Sequence, residues 1–510
     1  MYECLDRCTS IAFIFREEAE EKNRVRSEWD TARRKKICQR LALSHVCCFF
    51  IVYFLLGSAN AEPTAVRAGQ NLKQSPATVL SEVSIPRNSG LVVFDVRSGE
   101  RIFTANERTP LKPASVLKVL TALAALEQLG PYERMKTEVR GEDLAGSTVK
   151  TLILKGYGDP SLVQEDLWLI ARKIFLRGVR KVGAILVDDS VFTAPAPRRG
   201  ERAYQAGGSA LSLNYNSFFL EVCPVVGQSR AVVTHEPHEF PVKLQGHIAI
   251  TSKKSSTYRV DEVNPASREL PLVYRLKGSL RRQAGCQTVA RSVPDPTLYA
   301  GYVFRGFLQK EGVEIVGSVE KGVASDDSAI IHTHYSEPLI DTIRLLNLYS
   351  NNMIAEQLVT LLGSSGEEGR EQYDREKGLD LLATFLSRRG VPREEYVLKD
   401  GSGLSHENRL SADALAVVLR EALTREELHI EFASSLPVDS ESGTLLKKTY
   451  PGILRAKTGT LDGVTSLAGS VQNIRGRDIG FVLIQNEVRS RDAAVKLEKR
   501  IVQILRDSNF

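Results

Sequence analysis

A chain of 510 residues, 42% hydrophobic and 25% charged, is long enough for two or three globular domains at roughly 100–200 residues each. Its formal charge of +6 is mild and spread out, and no basic tract interleaved with aromatic residues is present. That excludes a nucleic-acid partner, although slight basicity suits an anionic polymer such as a cell wall.

In chain order, residues 33–61 read as a secretory signal. Arg33, Arg34, Lys35, Lys36 and Arg40 form a basic segment, Val46 to Leu56 an apolar run, and Ala59-Asn60-Ala61 a small-x-small cleavage site. Eleven apolar residues are too few for the roughly 20 that span a bilayer, so the segment is expected to be removed and Glu62 to begin the mature chain. Glu17, Glu18, Glu20 and Glu21 do not belong in a targeting segment and suggest a translation start downstream, near Val25. Export is therefore expected, into the periplasm of a bacterium. Five of the seven cysteines precede residue 61, which leaves Cys223 and Cys286 to pair across a 64-residue loop or to stay as two buried thiols.

Residues 90–106 alternate apolar and polar about Arg97-Ser98-Gly99, the pattern of a β-hairpin. From Ser115 the run VLKVLTALAALEQLG is apolar on nearly every face and stops at Gly130, as in a helix buried all round. Residues 147–192 read as strand, helix and strand. Residues 213–290 carry short β-branched runs broken by Pro, Gly and Ser. A helix near 299–311 and a strand near 314–319 return the chain to α/β texture, and four helical runs follow from Pro338. The last sixty residues hold three strand-like runs, ILRAKTG, TSLAGSVQ and DIGFVLIQN, before a terminal helix at 492–506. The expected fold class is multidomain α/β (α+β). One antiparallel sheet with helices on both faces would be built from the two ends of the chain, interrupted by a large insertion of an α/β domain and a β-rich domain.

Three separated motifs carry chemistry. Ser-x-x-Lys occurs at Ser115/Lys118, Ser147/Lys150 and Ser318/Lys321, but only the first opens a buried helix, where the i,i+3 spacing puts both side chains on one face. There the helix dipole favours an oxyanion beside Ser115, and desolvation lowers the Lys118 pKa so that a neutral amine can take the serine proton. Ser350-Asn351-Asn352 falls in a loop between two helical runs. Ser350 can relay a proton among Lys118, Lys457 and a leaving nitrogen, and the Asn352 amide can hold a substrate backbone. Lys457-Thr458-Gly459-Thr460 lies in a strand. Its edge can bind an extended peptide, Gly459 allows close approach, and Lys457, Thr458 and Thr460 can bind a terminal carboxylate. The backbone N–H groups of Ser115 and Thr460 would then form an oxyanion hole. His235/His238 and His332/His334 have spacings a metal can use but no evident partner set, so neither a metal nor a cofactor is expected. Asp159, Asp188 and Asp189 are read as turn and domain-packing residues.

The order Ser-x-x-Lys, Ser-x-Asn, Lys-Thr-Gly is that of penicillin-interacting serine enzymes. With the segments KGYGDPSL, VDDSVF, ALSLNYNS, YSNNMIAEQL and DGSGLS, the chain resembles the class C low-molecular-mass penicillin-binding proteins, the D-alanyl-D-alanine carboxypeptidase/endopeptidase family. The resemblance implies a β-lactamase/transpeptidase-like domain at 62–135 and 325–510, an inserted α/β domain at 136–212 and 291–324, and a nested β-rich domain at 213–290. It accounts for the 235 residues between Ser115 and Ser350. It also implies that Ser115 attacks peptidoglycan stem peptides with Lys118 as base, that β-lactams acylate the same serine, and it admits a homodimer. A class A β-lactamase shares the motifs at roughly half this length without the insertion. A non-catalytic wall-binding scaffold would not need all five reactive side chains.

Overall fold

The structure is a computed structural model that describes residues 76–264, 270–364, 372–446, 449–450 and 452–509. The expected signal sequence and the segment before it lie outside the described residues.

The hairpin reading corresponds to strands Ser89–Asp95 and Arg101–Ala105. Its turn closes because the Asp95 carboxylate accepts from the Ser98 backbone N–H at 2.7 Å, and because Gly99 takes a left-handed φ of +79°. Ser89–Asp95 then pairs antiparallel with Asp478–Gln485, which pairs with Val464–Gln472, and that with Leu454–Leu461. The five-stranded sheet thus joins the two ends of the described chain and finishes on the strand bearing Lys457.

Period-two alternation sends side chains to both faces. Val92, Ala468, Val482 and Ile484 join the large core that surrounds the helix Lys118–Leu129. Leu91, Val93, Leu467, Phe481 and Leu483 face the terminal helix Arg491–Arg506 through Ile501, Val502 and Leu505. Every side chain from Lys118 to Leu126 is buried, so this short helix is held by tertiary contacts rather than by its own propensity. Truncating one of its leucines, such as Leu123→Ala, costs about 2–5 kcal/mol. The helix stops where Gly130 turns to φ +93° while its N–H still reaches the Leu126 carbonyl at 3.2 Å.

A second, six-stranded mixed sheet is made from the middle of the chain. Lys136–Ala145 pairs antiparallel with Thr148–Gly156, which runs parallel to Lys181–Asp188. The reading at 314–319 resolves into two short strands, Glu314–Ile315 and Val319–Lys321, both parallel to Lys181–Asp188. One strand of this sheet lacks an apolar signature. Lys136–Ala145 is polar in sequence because Glu138 is buried against Arg140 and Tyr157, which bond it at 3.0 and 2.9 Å. Ala329–Tyr335 pairs antiparallel with Lys136–Gly141 and completes this sheet. Helices Gln164–Leu176 and Pro296–Lys310 cover this sheet.

Strands between Ser217 and Ser292 form three small sheets. Their core is continuous with that of the six-stranded sheet, through Phe218, Phe240, Tyr274 and Tyr299 packed edge to face at 4.8–5.8 Å. Cys223 and Cys286 are joined by a disulfide beside the antiparallel pair Ser217–Cys223 and Gln287–Ser292.

Candidate active site

Ser115 does not sit in the first turn of the α-helix. It lies in a 3-10 turn, Ala114–Leu117, and the α-helix proper begins at Lys118. The turn is entered through Ala114 at φ +53°, a left-handed conformation that a non-glycine residue holds only when its surroundings fix it. Three contacts do so. The Ser466 hydroxyl donates to the Pro113 carbonyl at 2.7 Å. A Cβ on Gly403 would lie 1.9 Å from the Ala114 oxygen, and one on Gly459 would lie 2.9 Å from the Ser115 nitrogen and 2.1 Å from Ser466 Oγ. Gly459 was expected to make room for substrate. In the structure the missing side chain makes room for the serine turn itself, and sets the Ser115 N–H beside the Gly459-Thr460 strand.

Lys118 is fully buried, and its ammonium nitrogen reaches Ser115 Oγ at 3.0 Å, Asn352 Oδ1 at 2.7 Å and the Ser402 carbonyl at 2.5 Å. Burial pushes its pKa from 10.5 down to about 7, against the upward pull of the Asp400 and Glu356 carboxylates. An amine that is half neutral near pH 7 and within hydrogen-bond reach of a serine is a competent general base.

Ser350 caps the helix Leu339–Tyr349 in a left-handed conformation, φ +55° and ψ +38°. Asn351 caps the next helix, Asn352–Leu362, by accepting from the Ile354 N–H at 3.2 Å. The expected loop is therefore a single sharp break between two helices. Lys457, also fully buried, donates to Ser350 Oγ at 2.8 Å and to the Thr458 carbonyl at 2.9 Å. Asn352 was expected to hold substrate. In the structure its Oδ1 accepts from Lys118 Nζ, and its Nδ2 donates to the Tyr204 carbonyl at 2.9 Å.

Strand Leu454–Leu461 lies at the sheet edge, where Pro437 and Val438 pair only its first half. The second half borders a cleft of about 690 Å³, into which Ser115, Ser350, Asn352 and Thr460 all open, with Arg199, Tyr204 and His406 on the walls. Thr458 turns away and bonds Thr444 Oγ1 at 2.8 Å. The other Ser-x-x-Lys pairs lie elsewhere: Lys150 pairs with Asp143 and Lys321 with Asp189.

Reading the three motifs alone misses the residues that hold Lys118. Asp400 is buried, accepts from the N–H groups of Gly403 and Ser405 at 2.7 and 2.6 Å, and pairs with Arg199 at 3.1 Å. Glu356 accepts from the N–H groups of Gly401 and Ser402 at 3.0 Å each and pairs with Arg375 at 3.1 Å. Together they shape the loop whose Ser402 carbonyl meets the lysine. The segment DGSGLS was the available signal: two glycines and two serines after an aspartate make a turn rich in N–H donors.

The histidine pairs remain apart from the cleft. His235 and His238 stack edge to face at 5.7 Å, and burial, with Lys173 and Arg177 nearby, pushes His332 down to about 4. Among the described residues, one group of three metal-type donors comes within 4.8 Å, Glu221 with Cys223 and Cys286, and both sulfurs are bonded to each other. Asp188 is tied to Ser190, Ala324 and Lys155, and Asp189 to Thr297 and Lys321.

With this geometry in place, similarity to known proteins is decisive. Residues 72–508 match the D-Ala-D-Ala carboxypeptidase 3 (S13) family. The chain belongs to that family. It is 32% identical over 422 residues, 78% of this chain and 77% of the relative, to the D-alanyl-D-alanine carboxypeptidase of Actinomadura sp. (strain R39). Its fold is that of penicillin binding protein 4 from Haemophilus influenzae, with a TM-score of 0.69 at 23% identity over 82% of this chain and 97% of that one. The same Haemophilus protein, solved in complex with a β-lactam, gives a TM-score of 0.67 at 22% identity, covering 84% of this chain and 99% of that one. Family membership makes this chain a serine-type D-Ala-D-Ala carboxypeptidase.

Proposed function

We propose that Ser115, Lys118, Ser350, Asn352 and Lys457 carry the reaction on peptidoglycan stem peptides. The observation that supports this most directly is a buried lysine, its pKa brought to about 7, 3.0 Å from Ser115 Oγ at the floor of an open cleft. Neutral Lys118 takes the hydroxyl proton as Ser115 Oγ bonds to the carbonyl carbon of the penultimate D-alanine. The oxyanion is held by the N–H groups of Ser115 and Thr460. Collapse breaks the C–N bond, the leaving nitrogen regains a proton through Lys118 and Ser350, and D-alanine departs. Water then cleaves the Ser115 ester. Thr460 opens to the cleft and can bind the terminal carboxylate, with the positive charge of Lys457 buried behind it on Ser350, while Thr458 points away to Thr444. A cross-linked neighbour's amino group can leave in place of D-alanine, which is the endopeptidase form of the same reaction.

β-Lactams present the same carbonyl and would acylate the same serine, in keeping with the β-lactam complex of the Haemophilus relative. The enzyme is proposed to act outside the cytoplasmic membrane after removal of residues 1–61. No helix among the described residues is long and apolar enough to cross a membrane. We further propose three folding regions, with the catalytic region resuming after Tyr335, where the last strand of the second sheet ends. A homodimer would show twice the mature mass in sedimentation.

Fluorescent penicillin tests the assignment. The mature protein should carry a stable covalent label that Ser115→Ala abolishes, and mass analysis of muropeptide digests should show loss of D-alanine. A label that survives Ser115→Ala, or rapid hydrolysis of the penicillin, would refute it.

A further inference from the structure

A second cavity, of about 400 Å³, shares no lining residue with the Ser115 cleft. It lies where Asp159, Asp166 and Tyr215 of the insertion meet Glu337 and the helix Leu339–Tyr349. Asp159 is 2% exposed. Its Oδ1 accepts from the Ser161 N–H and hydroxyl at 2.8 and 2.6 Å, but its Oδ2 has no hydrogen-bond partner among the described residues. Thr342, 1% exposed, is another lining residue, and its hydroxyl has no hydrogen-bond partner among the described residues. Buried polar atoms are nearly always satisfied, so two unpartnered ones on residues that line one cavity point to a place where a ligand could supply the missing bonds.

Charge narrows the ligand. Four carboxylates, Asp159, Asp166, Glu337 and Asp341, line the cavity against one arginine, Arg344, which is paired with Asp341 at 2.8 Å. Arg134 lies 3.8 Å from Glu337, whereas Asp159 and Asp166 form no ion pair among the described residues. Burial holds His334 below its ordinary pKa, so it adds no positive charge at neutral pH. Burial also pushes the Asp159 carboxyl up to about 6, as expected of a carboxylate without a countercharge. No three metal-type donors converge here among the described residues, which disfavours a bare metal ion. Val163, Tyr215 and Leu345 give the cavity an apolar side.

We propose that this cavity binds a small organic cation, with a primary ammonium group held by Asp159 Oδ2 and the Thr342 hydroxyl and its carbon stem along Val163, Tyr215 and Leu345. The amine can be a free metabolite or the side-chain amine of a peptide, and the two differ only beyond the stem. The site is independent of the catalytic assignment.

The test uses the mature protein with Ser115 blocked by penicillin, and the Ser115→Ala variant without penicillin, so that the cleft takes no part and a failure of acylation does not obscure the result. Calorimetric titration with n-butylammonium and with Nα-acetyl-lysine amide should give saturable binding, while 1-butanol gives none. Asp159→Asn should weaken binding at least tenfold and Thr342→Val several-fold, with penicillin acylation unchanged in both. Binding of butylammonium alone supports a free amine, and binding of both probes supports a peptide side chain. Absence of saturable binding, equal binding of butanol, or undiminished binding in Thr342→Val overturns the proposal, even if Asp159→Asn fails to fold.

Discussion

The perturbed lysine makes a quantitative prediction about pH. Lowering the Lys118 pKa from 10.5 to about 7 corresponds to about 5 kcal/mol of preference for the neutral amine, since each unit is worth about 1.4 kcal/mol. The neutral form is the base, so the rate of acylation should follow its fraction: about one-tenth at pH 6, half near pH 7 and about nine-tenths at pH 8. The second-order rate of labelling by fluorescent penicillin, followed by stopped flow, should therefore rise about tenfold from pH 6 to 8 and level off above it. Asp400 raises the Lys118 pKa by its charge, so Asp400→Asn should move the midpoint to lower pH. A rate that keeps climbing tenfold per unit beyond pH 9 would mean an ordinary lysine, and a flat profile would mean that Lys118 is not the base. Either result refutes the proposed mechanism.

Other consequences follow from contacts around the serine turn. Gly459→Ala places a methyl 2.1 Å from Ser466 Oγ and 2.9 Å from the Ser115 nitrogen, and should slow acylation at least a hundredfold while costing about 1–3 kcal/mol in denaturant unfolding. Ser466→Ala removes the buried bond to Pro113 and should cost about 1–2 kcal/mol in the same measurement, with slower acylation because the Ala114 turn loses a tether. Arg375→Met leaves Glu356 buried without its cation, and should lower stability by about 3–5 kcal/mol. Cys223→Ala with Cys286→Ala should reduce stability by about 2–4 kcal/mol and leave the acylation rate unchanged, since the bridge lies in the small sheets and borders no part of the cleft. An unaltered melting curve for the double variant would show that the bridge does not constrain the unfolded chain.

Much of this protein is determined by local sequence. The hairpin at 89–105, the largely apolar helix ending at Gly130 and the three last strands are fixed by periodicity and turn chemistry, because each pattern admits only one way to bury its side chains. The reactive residues are legible for a related reason: Ser115 and Lys118 lie one helical turn apart, so their approach needs only local geometry. Tertiary structure alone decides the rest. The strand Lys136–Ala145 is polar in sequence and forms because its buried Glu138 finds Arg140 and Tyr157 once the neighbouring strand is in place. Gly459 is required by a serine turn more than 300 residues earlier in the chain. The Lys118 pKa likewise depends on burial and on Asp400 and Glu356, which reach it only in the folded chain. A sequence can name a nucleophile and its base, but desolvation and long-range charge are properties of the assembled core, and here they set the protonation state on which the proposed chemistry depends.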